Sequence, residues 1–173
     1  AEENPGSEVT VVTMGPASAL DALRRALAMG AHRALHIVDD RLAGSDAVQT
    51  SAAIAAVLEG KDFDLVIAGN TSTDGSTSAL PAMLAERLGF AQATNLRGVR
   101  VESDRLSGER VTTEGDMTLS APLPAVVSVT EQVADARFPN LRGILGAKKK
   151  PVDVLRIEDL GRDAGVEGGA HSP

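Results

Sequence analysis

Short apolar runs rich in β-branched residues alternate with helical patterns through the first half of this chain. Strand patterns occupy residues 8–14, 34–38 and 65–68, and after each of them leucines and alanines recur at spacings of three and four residues. Parallel strands need long crossover connections, which helices supply with right-handed geometry. The β-α-β-α-β-α order therefore predicts an α/β fold, with three αβα layers in which crossover helices cover both faces of a parallel sheet.

The second half of the chain changes to extended segments separated by turn clusters. Two strands at residues 106–112 and 117–121 predict an antiparallel hairpin extension joined to the same sheet. A buried-type strand at Ala125–Val129 and a last strand at Val152–Ile157 follow. Because no repeat or linker divides the chain, we expect one domain over residues 1–160 and a flexible Gly-rich tail over residues 161–173.

Composition argues against several classes of function. The 173 residues carry a net charge of −7, whereas a general nucleic-acid binder needs a basic face. The chain has no cysteine, and its three histidines show no metal-ligand spacing, so we expect no metal site built from cysteine or histidine. No run approaches the roughly 18–20 apolar residues of a membrane span, so we expect no membrane insertion.

Polar residues at the predicted ends of strands and helices have local roles in this interpretation. Ser18 and Ser45 are predicted to cap the first two helices. Asp39 and Asp40 follow the second strand, and two adjacent carboxylates leave open a turn or a metal site, of which the turn is the commoner. His36 is interpreted as a core histidine because no partner lies near it in sequence. No catalytic residue is predicted, since no motif places a nucleophile or a general base.

The connection between the third strand and its helix consists almost entirely of small residues, many with a hydroxyl group. These residues are Gly69, Asn70, Thr71, Ser72, Thr73, Asp74, Gly75, Ser76, Thr77 and Ser78. Backbone N–H groups at a helix start bind anions, and small side chains let a phosphate approach them. The loop lacks both Gly-rich phosphate-binding patterns, however. A nucleotide loop and a plain connection in which Ser76, Thr77 or Ser78 caps the helix therefore both stay open.

Residues 131–147 mix apolar side chains with polar ones, a proline and glycines. One interpretation is a surface loop followed by a short helix that covers the core. The other is a partner-docking loop, because apolar side chains on a mobile segment often mark contact sites. The lysine run at 148–150 is either a solvated stretch or a basic spot that steers an acidic partner.

Three blocks of the sequence carry a family resemblance. They read ALRRALAMGAHRALHI at 22–37, IAGNTSTDGSTSALPAMLAERLG at 67–89 and LPAVVSVTEQVADARFPNLRGILGAKKK at 123–150. In order and spacing they resemble the β subunit of electron transfer flavoprotein, over residues 8–160. The third block is the most specific, since the Ala-Lys-Lys-Lys ending after an Arg-Phe-Pro loop is unusual. The resemblance implies a Rossmann-like domain that binds an adenine nucleotide.

The resemblance also implies an electron carrier rather than an enzyme. In the family, the β subunit buries AMP, and it completes an FAD site that lies mainly in the α subunit of a heterodimer. Carried over by position, AMP would contact Met14 and the Gly69–Ser78 loop, with Asp74 at the family's aspartate position. Some members have Asn-Gln-Thr where this chain has residues 78–80, so backbone N–H groups would carry more of the phosphate binding here.

For partners, the resemblance implies flavin-dependent dehydrogenases that donate electrons and a membrane quinone oxidoreductase that receives them. Docking would use the loop at residues 137–146, with Leu141 at the anchor position beside Arg137, Phe138 and Ile144. The family's first strand would precede residue 1, so we expect this chain alone to bind AMP poorly. The Ala- and Arg-rich composition suggests a bacterial, cytoplasmic protein.

Two alternatives to this function stay open at the level of sequence. A stand-alone ATP-binding domain of the universal-stress type shares the βαβ order and a Gly/Ser-rich loop, and it predicts a homodimer without flavin. An enzyme acting on a nucleotide would need Asp39, Asp40 or Asp74 to hold Mg²⁺. Within the family resemblance, the second nucleotide is either AMP or a second FAD.

Overall fold

The structure is a computed structural model that describes residues 6–135 and 138–161. Its helices and strands are, in chain order, β1 (Thr10–Met14), α1 (Leu20–Ala28), β2 (Arg33–Ile37), α2 (Ala47–Leu58), β3 (Leu65–Gly69), α3 (Leu80–Leu88), β4 (Ala91–Leu96), β5 (Gly98–Val101), β6 (Arg105–Thr112), β7 (Gly115–Pro122), β8 (Ala125–Val129), α4 (Leu141–Ala147) and β9 (Val152–Leu155). They form two compact units, one within residues 1–45 and 136–173 and the other within residues 46–135.

The first unit contains a parallel sheet in the order β1-β2-β9. Helices α1 and α4 cover one face of this sheet. Leu23 and Leu27 of α1 are almost fully buried there, together with Ala34 of β2 and Ala147 of α4. The leucine spacing of four residues puts both side chains on one helix face, which is why the periodic sequence pattern predicted α1 correctly.

The second unit contains a parallel sheet in the order β3-β8-β4. Its central strand β8 is buried from Ala125 through Ser128, as expected for a strand that is covered on both faces. Val126 packs against α2 and α3 on one face. On the other face, Val127 belongs to a core cluster that includes Leu96 and Leu106. The α/β class and the parallel strand pairing predicted from the sequence are confirmed. The parallel strands form two sheets, however, rather than the single predicted one.

Strands β5, β6 and β7 form a separate antiparallel sheet rather than a hairpin joined to the parallel one. A register shift between Ala93 and Leu96 interrupts β4, and Asn95 adopts a left-handed φ of 60°. Gly108 of β6 lies so close to β4 that a Cβ atom there would be 2.6 Å from Leu96 Cδ1. Pairing with β8 resumes after the irregularity, where Leu96 pairs with Val129. The antiparallel sheet packs on the face of the parallel one, and Leu106 and Ala121 share a core cluster with Val127.

Two predicted helix caps are wrong. Ser18 lies inside the 3₁₀ turn Ala17–Ala19, and α1 follows without a side-chain cap. The cap of α2 is Asp46, whose carboxylate accepts a hydrogen bond from the Gln49 N–H in a capping box. The hydroxyl of Ser45 donates instead to the Leu42 carbonyl, at 2.7 Å. Several candidate cap residues stand next to one another here, and local backbone geometry decides which of them caps the helix.

Candidate functional site

The Gly69–Ser78 loop begins at the carboxyl ends of the strands in the second unit. The Asn70 N–H donates to the Val129 carbonyl at 3.0 Å, and the Thr130 N–H donates to the Leu96 carbonyl at 2.9 Å. These bonds hold the ends of β3, β8 and β4 together beneath the loop. The carboxyl edge of a parallel sheet is where open α/β folds bind ligands.

A buried hydroxyl anchors the start of the loop. Ser128 on β8 is fully buried, and its hydroxyl donates to Asn70 Oδ1 at 3.3 Å. The Ser128 hydroxyl oxygen also accepts a hydrogen bond from the Asn95 N–H, at 2.7 Å. Ser128 therefore links the first side chain of the loop to the irregular end of β4. This role was not predicted from the sequence, in which the signal is one serine within the apolar run AVVSV.

Internal hydrogen bonds shape the middle of the loop. The Ser72 carbonyl accepts from the Ser76 N–H at 3.2 Å, and the Ser72 hydroxyl accepts from the Gly75 N–H at 3.3 Å. The hydroxyls of Thr71 and Ser78 bond to each other across the loop. Residues 71–78 are all exposed. The loop is thus locally folded, and its small polar side chains stay accessible to a ligand.

Helix α3 begins without a side-chain cap. Its N-cap residue is Ala79, which has no capping side chain. The Ala79 N–H donates to the Thr77 hydroxyl only over a long distance of 3.5 Å. The interpretation in which Ser76, Thr77 or Ser78 serves as an N-cap is therefore not supported. Because Pro81 has no N–H, Leu80 and Ala82 supply the free N–H groups of the first turn, and neither has a hydrogen-bond partner in the described part of the chain. Such groups are suited to an anion.

Two serines just before α3 adopt left-handed backbone conformations. The φ angles are 48° for Ser76 and 53° for Ser78. Residues with a Cβ atom enter this region at a cost of about 1 kcal/mol or more. Strained backbone of this kind concentrates at ligand-binding sites, where the surrounding structure maintains it.

The carboxyl group of Asp74 is held in its charged form. Hydrogen bonds from the Ser72 side chain, and then from the backbone N–H of Gly75, lower its pKa below the usual value of 3.8. The Gly75 N–H lies 2.7 Å from Asp74 Oδ1. Asp74 is therefore a carboxylate at neutral pH, and it can accept hydrogen bonds from hydroxyl or amino groups but not from phosphate oxygens.

The other predicted nucleotide contact, Met14, belongs to the first unit. It ends β1, where it pairs in register with Ile37 of β2 and is partly buried. The next N–H, that of Gly15, donates to the Ile37 carbonyl at 3.1 Å. Met14 thus also lies at a carboxyl edge, that of the β1-β2-β9 sheet.

The predicted docking residues also lie in the first unit, except Arg137, which is outside the described residues. Phe138 is 93 % exposed, Leu141 79 % and Ile144 43 %. From Leu141 the segment forms α4, which Asn140 caps by accepting a hydrogen bond from the Gly143 N–H at 2.7 Å. Leu145 is 65 % exposed and was not among the predicted docking residues, although its spacing of four from Leu141 places both on one face. We call Phe138, Leu141, Ile144 and Leu145 the apolar patch.

The adjacent carboxylates after β2 form a turn. Asp39 accepts hydrogen bonds from the side chain and backbone N–H of Arg41, which hold the pKa of Asp39 well below its usual 3.8. Glu158 forms an ion pair with the same Arg41. Within residues 6–135 and 138–161, no cluster of three or more acidic or histidine side chains is arranged to hold a metal ion. His36 is buried, and its Nε2 lies 3.2 Å from the Gly15 carbonyl oxygen.

Among the described residues, no helix combines the length and the apolar character needed to cross a bilayer.

The chain is similar along nearly its whole length to proteins of one family. The family description "Electron transfer flavoprotein domain" matches residues 1–160. The electron transfer flavoprotein subunits beta of Mycobacterium tuberculosis and Mycobacterium leprae are 49 % identical over 167 residues, covering 95 % of this chain and 62 % of each relative. The chain thus spans about three fifths of the length of these relatives.

More distant bacterial relatives carry related names. The electron transfer flavoprotein subunit beta of Thermoanaerobacterium thermosaccharolyticum is 36 % identical over 172 residues, which cover 99 % of this chain and 66 % of that protein. The caffeyl-CoA reductase-Etf complex subunit CarD of Acetobacterium woodii is 34 % identical over 161 residues, which cover 92 % of this chain and 62 % of that protein. These names describe electron-carrier subunits, and with the matched domain they establish that this chain belongs to the electron transfer flavoprotein family, as a relative of its β subunits.

Proposed function

We propose that this chain acts in the β subunit of a heterodimeric electron transfer flavoprotein in the bacterial cytoplasm. In this role it binds AMP as a structural nucleotide, completes the FAD site of an α subunit and docks flavin-dependent dehydrogenases. Electrons then pass toward a quinone oxidoreductase. The family membership and the similarity over 95 % of the chain to β subunits support this role.

The observation that carries the nucleotide part is the uncapped start of α3. A strand, an exposed loop of small residues and a helix with free first-turn N–H groups follow one another at a carboxyl sheet edge. The N–H groups of Leu80 and Ala82 offer hydrogen bonds to a phosphate, and the helix dipole favours the negative charge. Small residues before them leave room for the phosphate to reach the backbone.

The rest of the loop fits the sugar and base better than the phosphate. The ionised Asp74 would repel a phosphate, but it can accept hydrogen bonds from ribose hydroxyls. The hydroxyls of residues 71–73 and 76–78 can both donate and accept. We therefore assign the phosphate to the backbone at the start of α3 and the ribose to the Asp74 side of the loop.

FAD, when bound in the heterodimer, supplies the redox chemistry. This chain contributes no nucleophile or general base to that chemistry. Its residues bind and orient: the loop holds the structural nucleotide, and the apolar patch offers a contact surface to a dehydrogenase. Exposed apolar side chains of this size, grouped on one short helix and its approach, are typical of protein contact sites.

The decisive experiment identifies the nucleotides released when the native complex is purified and denatured. We expect one FAD and one AMP per complex, with a larger copurifying α subunit. Two FAD molecules would contradict the assignment of AMP. ATP alone, without flavin and without a second subunit, would contradict the family role and favour a stress-type ATP-binding domain.

Docking is tested separately with Leu141→Ala in the native complex. Leu141 is the most exposed leucine of the apolar patch. Burying its side chain against a partner would contribute about 2 kcal/mol of binding free energy, which the alanine variant loses. Electron transfer from a dehydrogenase that reduces the carrier is expected to weaken at least several-fold, with an unchanged bound-flavin absorption spectrum. Leu20→Ala on α1, 36 % exposed and outside the patch, is the control. Normal transfer by the Leu141 variant would refute the docking assignment.

A further inference from the structure

Helices α1 and α4 of the first unit cap each other's carboxyl ends with basic side chains. Lys150 follows α4, and its Nζ donates to the carbonyls of Leu27, at 2.8 Å, and Ala31, at 2.6 Å. In return, Arg24 of α1 donates through one guanidinium nitrogen to the carbonyls of Ala147, at 2.8 Å, and Lys150, at 2.9 Å. Of these carbonyls, that of Leu27 otherwise accepts, among the described residues, only a long bond from the Gly30 N–H, at 3.4 Å, and that of Ala147 only one from the Lys150 N–H, at 3.3 Å. Each cation therefore adds a shorter hydrogen bond at the end of the other helix.

The same two helices approach each other closely at a glycine. A Cβ atom built on Gly143 would lie 2.4 Å from the Ala28 carbonyl oxygen, a backbone atom that cannot rotate away. Ala147, one turn further along α4, is 3 % exposed and packs into the core cluster of Leu23 and Leu27. One side of α4 is therefore fixed to α1 by shape as well as by hydrogen bonds.

Helix α4 needs this support because it is weak by itself. It has seven residues, two of which are glycines. Helices of fewer than about 12 residues are marginal in water, and each interior glycine costs about 1 kcal/mol relative to alanine. Its outward side carries Leu141 and Leu145 of the apolar patch, which are exposed to water and so do not stabilise the helix by burial. Contacts with α1 must then hold the helix and set the direction of the patch.

We propose that Arg24 and Lys150 are positioning residues for partner docking: by capping α4 and α1 reciprocally, they hold the apolar patch in the orientation that a dehydrogenase contacts. This inference rests on the docking role proposed above and adds two residues that do not belong to the patch. It also gives Lys150 a different role from the other two lysines of the run at 148–150. Lys148 and Lys149 are exposed, whereas Lys150 is partly buried and fully engaged with α1.

The test compares Arg24→Gln with Arg25→Gln in the native complex. Arg25 is the next residue of α1, is exposed and forms no side-chain hydrogen bond among the described residues. The Arg25→Gln variant therefore has the same change in charge and in helix propensity as Arg24→Gln, without the loss of a hydrogen bond. For Arg24→Gln we expect faster hydrogen exchange of the α4 amides and an apparent KM for the carrier about tenfold higher in dehydrogenase-linked electron transfer, with kcat and the flavin spectrum unchanged. A tenfold change corresponds to about 1.4 kcal/mol.

The conservative variant Arg24→Lys retains a cation that can reach one of the two carbonyls, so it is expected to recover part of the lost affinity. Arg25→Gln is expected to behave as wild type. If Leu141→Ala raises the KM but Arg24→Gln changes neither the KM nor the α4 exchange, the positioning role is refuted. If Leu141→Ala has no effect, the docking function itself fails, whatever the exchange of α4 shows.

Discussion

Ser128 is the residue that anchors the start of the Gly69–Ser78 loop. It is the only hydroxyl in the strand AVVSV, it is fully buried, and its one oxygen serves both Asn70 and Asn95. A buried hydroxyl that both donates and accepts fixes the orientation of its partners. The Asn70 side chain is therefore held in one position at the edge of the loop, with its amide NH₂ group still able to donate.

Ser128→Ala is expected to lower AMP affinity by about tenfold in the native complex. The change leaves the Asn95 N–H without its acceptor, which costs about 1–3 kcal/mol of stability, and it frees the Asn70 side chain. Isothermal titration of AMP into nucleotide-depleted complex measures the effect. Ser120→Ala, which removes a hydroxyl that donates to the Leu106 carbonyl on the antiparallel sheet, is the matched control.

A double-variant cycle separates orientation from general damage. If Ser128 acts through Asn70, Ser128→Ala lowers AMP affinity much less in an Asn70→Ala background than in wild type. Fully additive losses would show that the two residues act independently, and the link between them would then have no role in binding.

At the scale of the element, α3 begins without the side-chain cap that would stabilise it. A residue such as Asp at the beginning of a helix normally stabilises it by about 0.3–1 kcal/mol through the helix dipole. Position 79 carries alanine, and the first-turn N–H groups stay available. The sequence alone is compatible with a capped or an uncapped start, and the structure has the uncapped form.

Ala79→Asp is therefore expected to change stability and binding in opposite directions. The added carboxylate favours the helix, so the thermal midpoint of the nucleotide-free complex is expected to rise slightly or stay the same. It also repels the phosphate, so AMP affinity is expected to fall at least tenfold. Ala79→Asn, the neutral isostere, should bind AMP more tightly than the aspartate variant. Equal affinities of the two variants would argue against a phosphate at this helix start.

The regular elements were predictable because their signals are local, whereas their partners were not. The spacing of Leu23 and Leu27 defines α1, and the β-branched runs define β3 and β8. Nothing local shows that β8 pairs with both β3 and β4. The choice of Asp46 over Ser45 as a cap depends on hydrogen-bond geometry, which neighbouring sequence does not determine.

In the candidate site, too, the features with a local signal were predictable and the long-range contacts were not. Composition predicted a small-residue loop at residues 69–78 and left a nucleotide loop and a plain connection both open. The exposed patch was predicted from apolar residues among polar ones. Ser128, Arg24 and Lys150 act over separations of 33 to 126 residues, through contacts that only the folded chain creates. Long-range hydrogen bonds of this kind have no periodic signature in the sequence.

At the scale of the whole molecule, the surface combines a net charge of −7 with an apolar strand edge. Strand β3 lies at the end of its sheet, and residues 65–68 carry no charge. Ile67 is 63 % exposed there. Natural proteins usually protect such edges with charged residues, because an uncovered edge pairs with other chains.

The chain studied alone is therefore expected to self-associate, and Ile67→Lys is expected to reduce that association. A lysine in an edge strand hinders the addition of another strand. Light scattering over a concentration series at fixed salt gives the measurement. Val48→Lys on α2 is the control, since Val48 is 53 % exposed and the change in net charge is the same. Equal reductions by both variants would attribute the effect to charge rather than to the strand edge.

The reciprocal caps between α1 and α4 also bear on how long a partner stays bound. A docking segment that folds only on contact must lose its conformational freedom at that moment, and a large interface is needed to offset the loss. Because Arg24 and Lys150 already hold α4 in place, the proposed docking would need only a small patch. Weak, transient complexes have small interfaces. Since differences in affinity lie mostly in the dissociation rate, a weakly bound partner dissociates quickly. Short-lived encounters with a preformed surface match the needs of a carrier that must leave one partner before it meets the next.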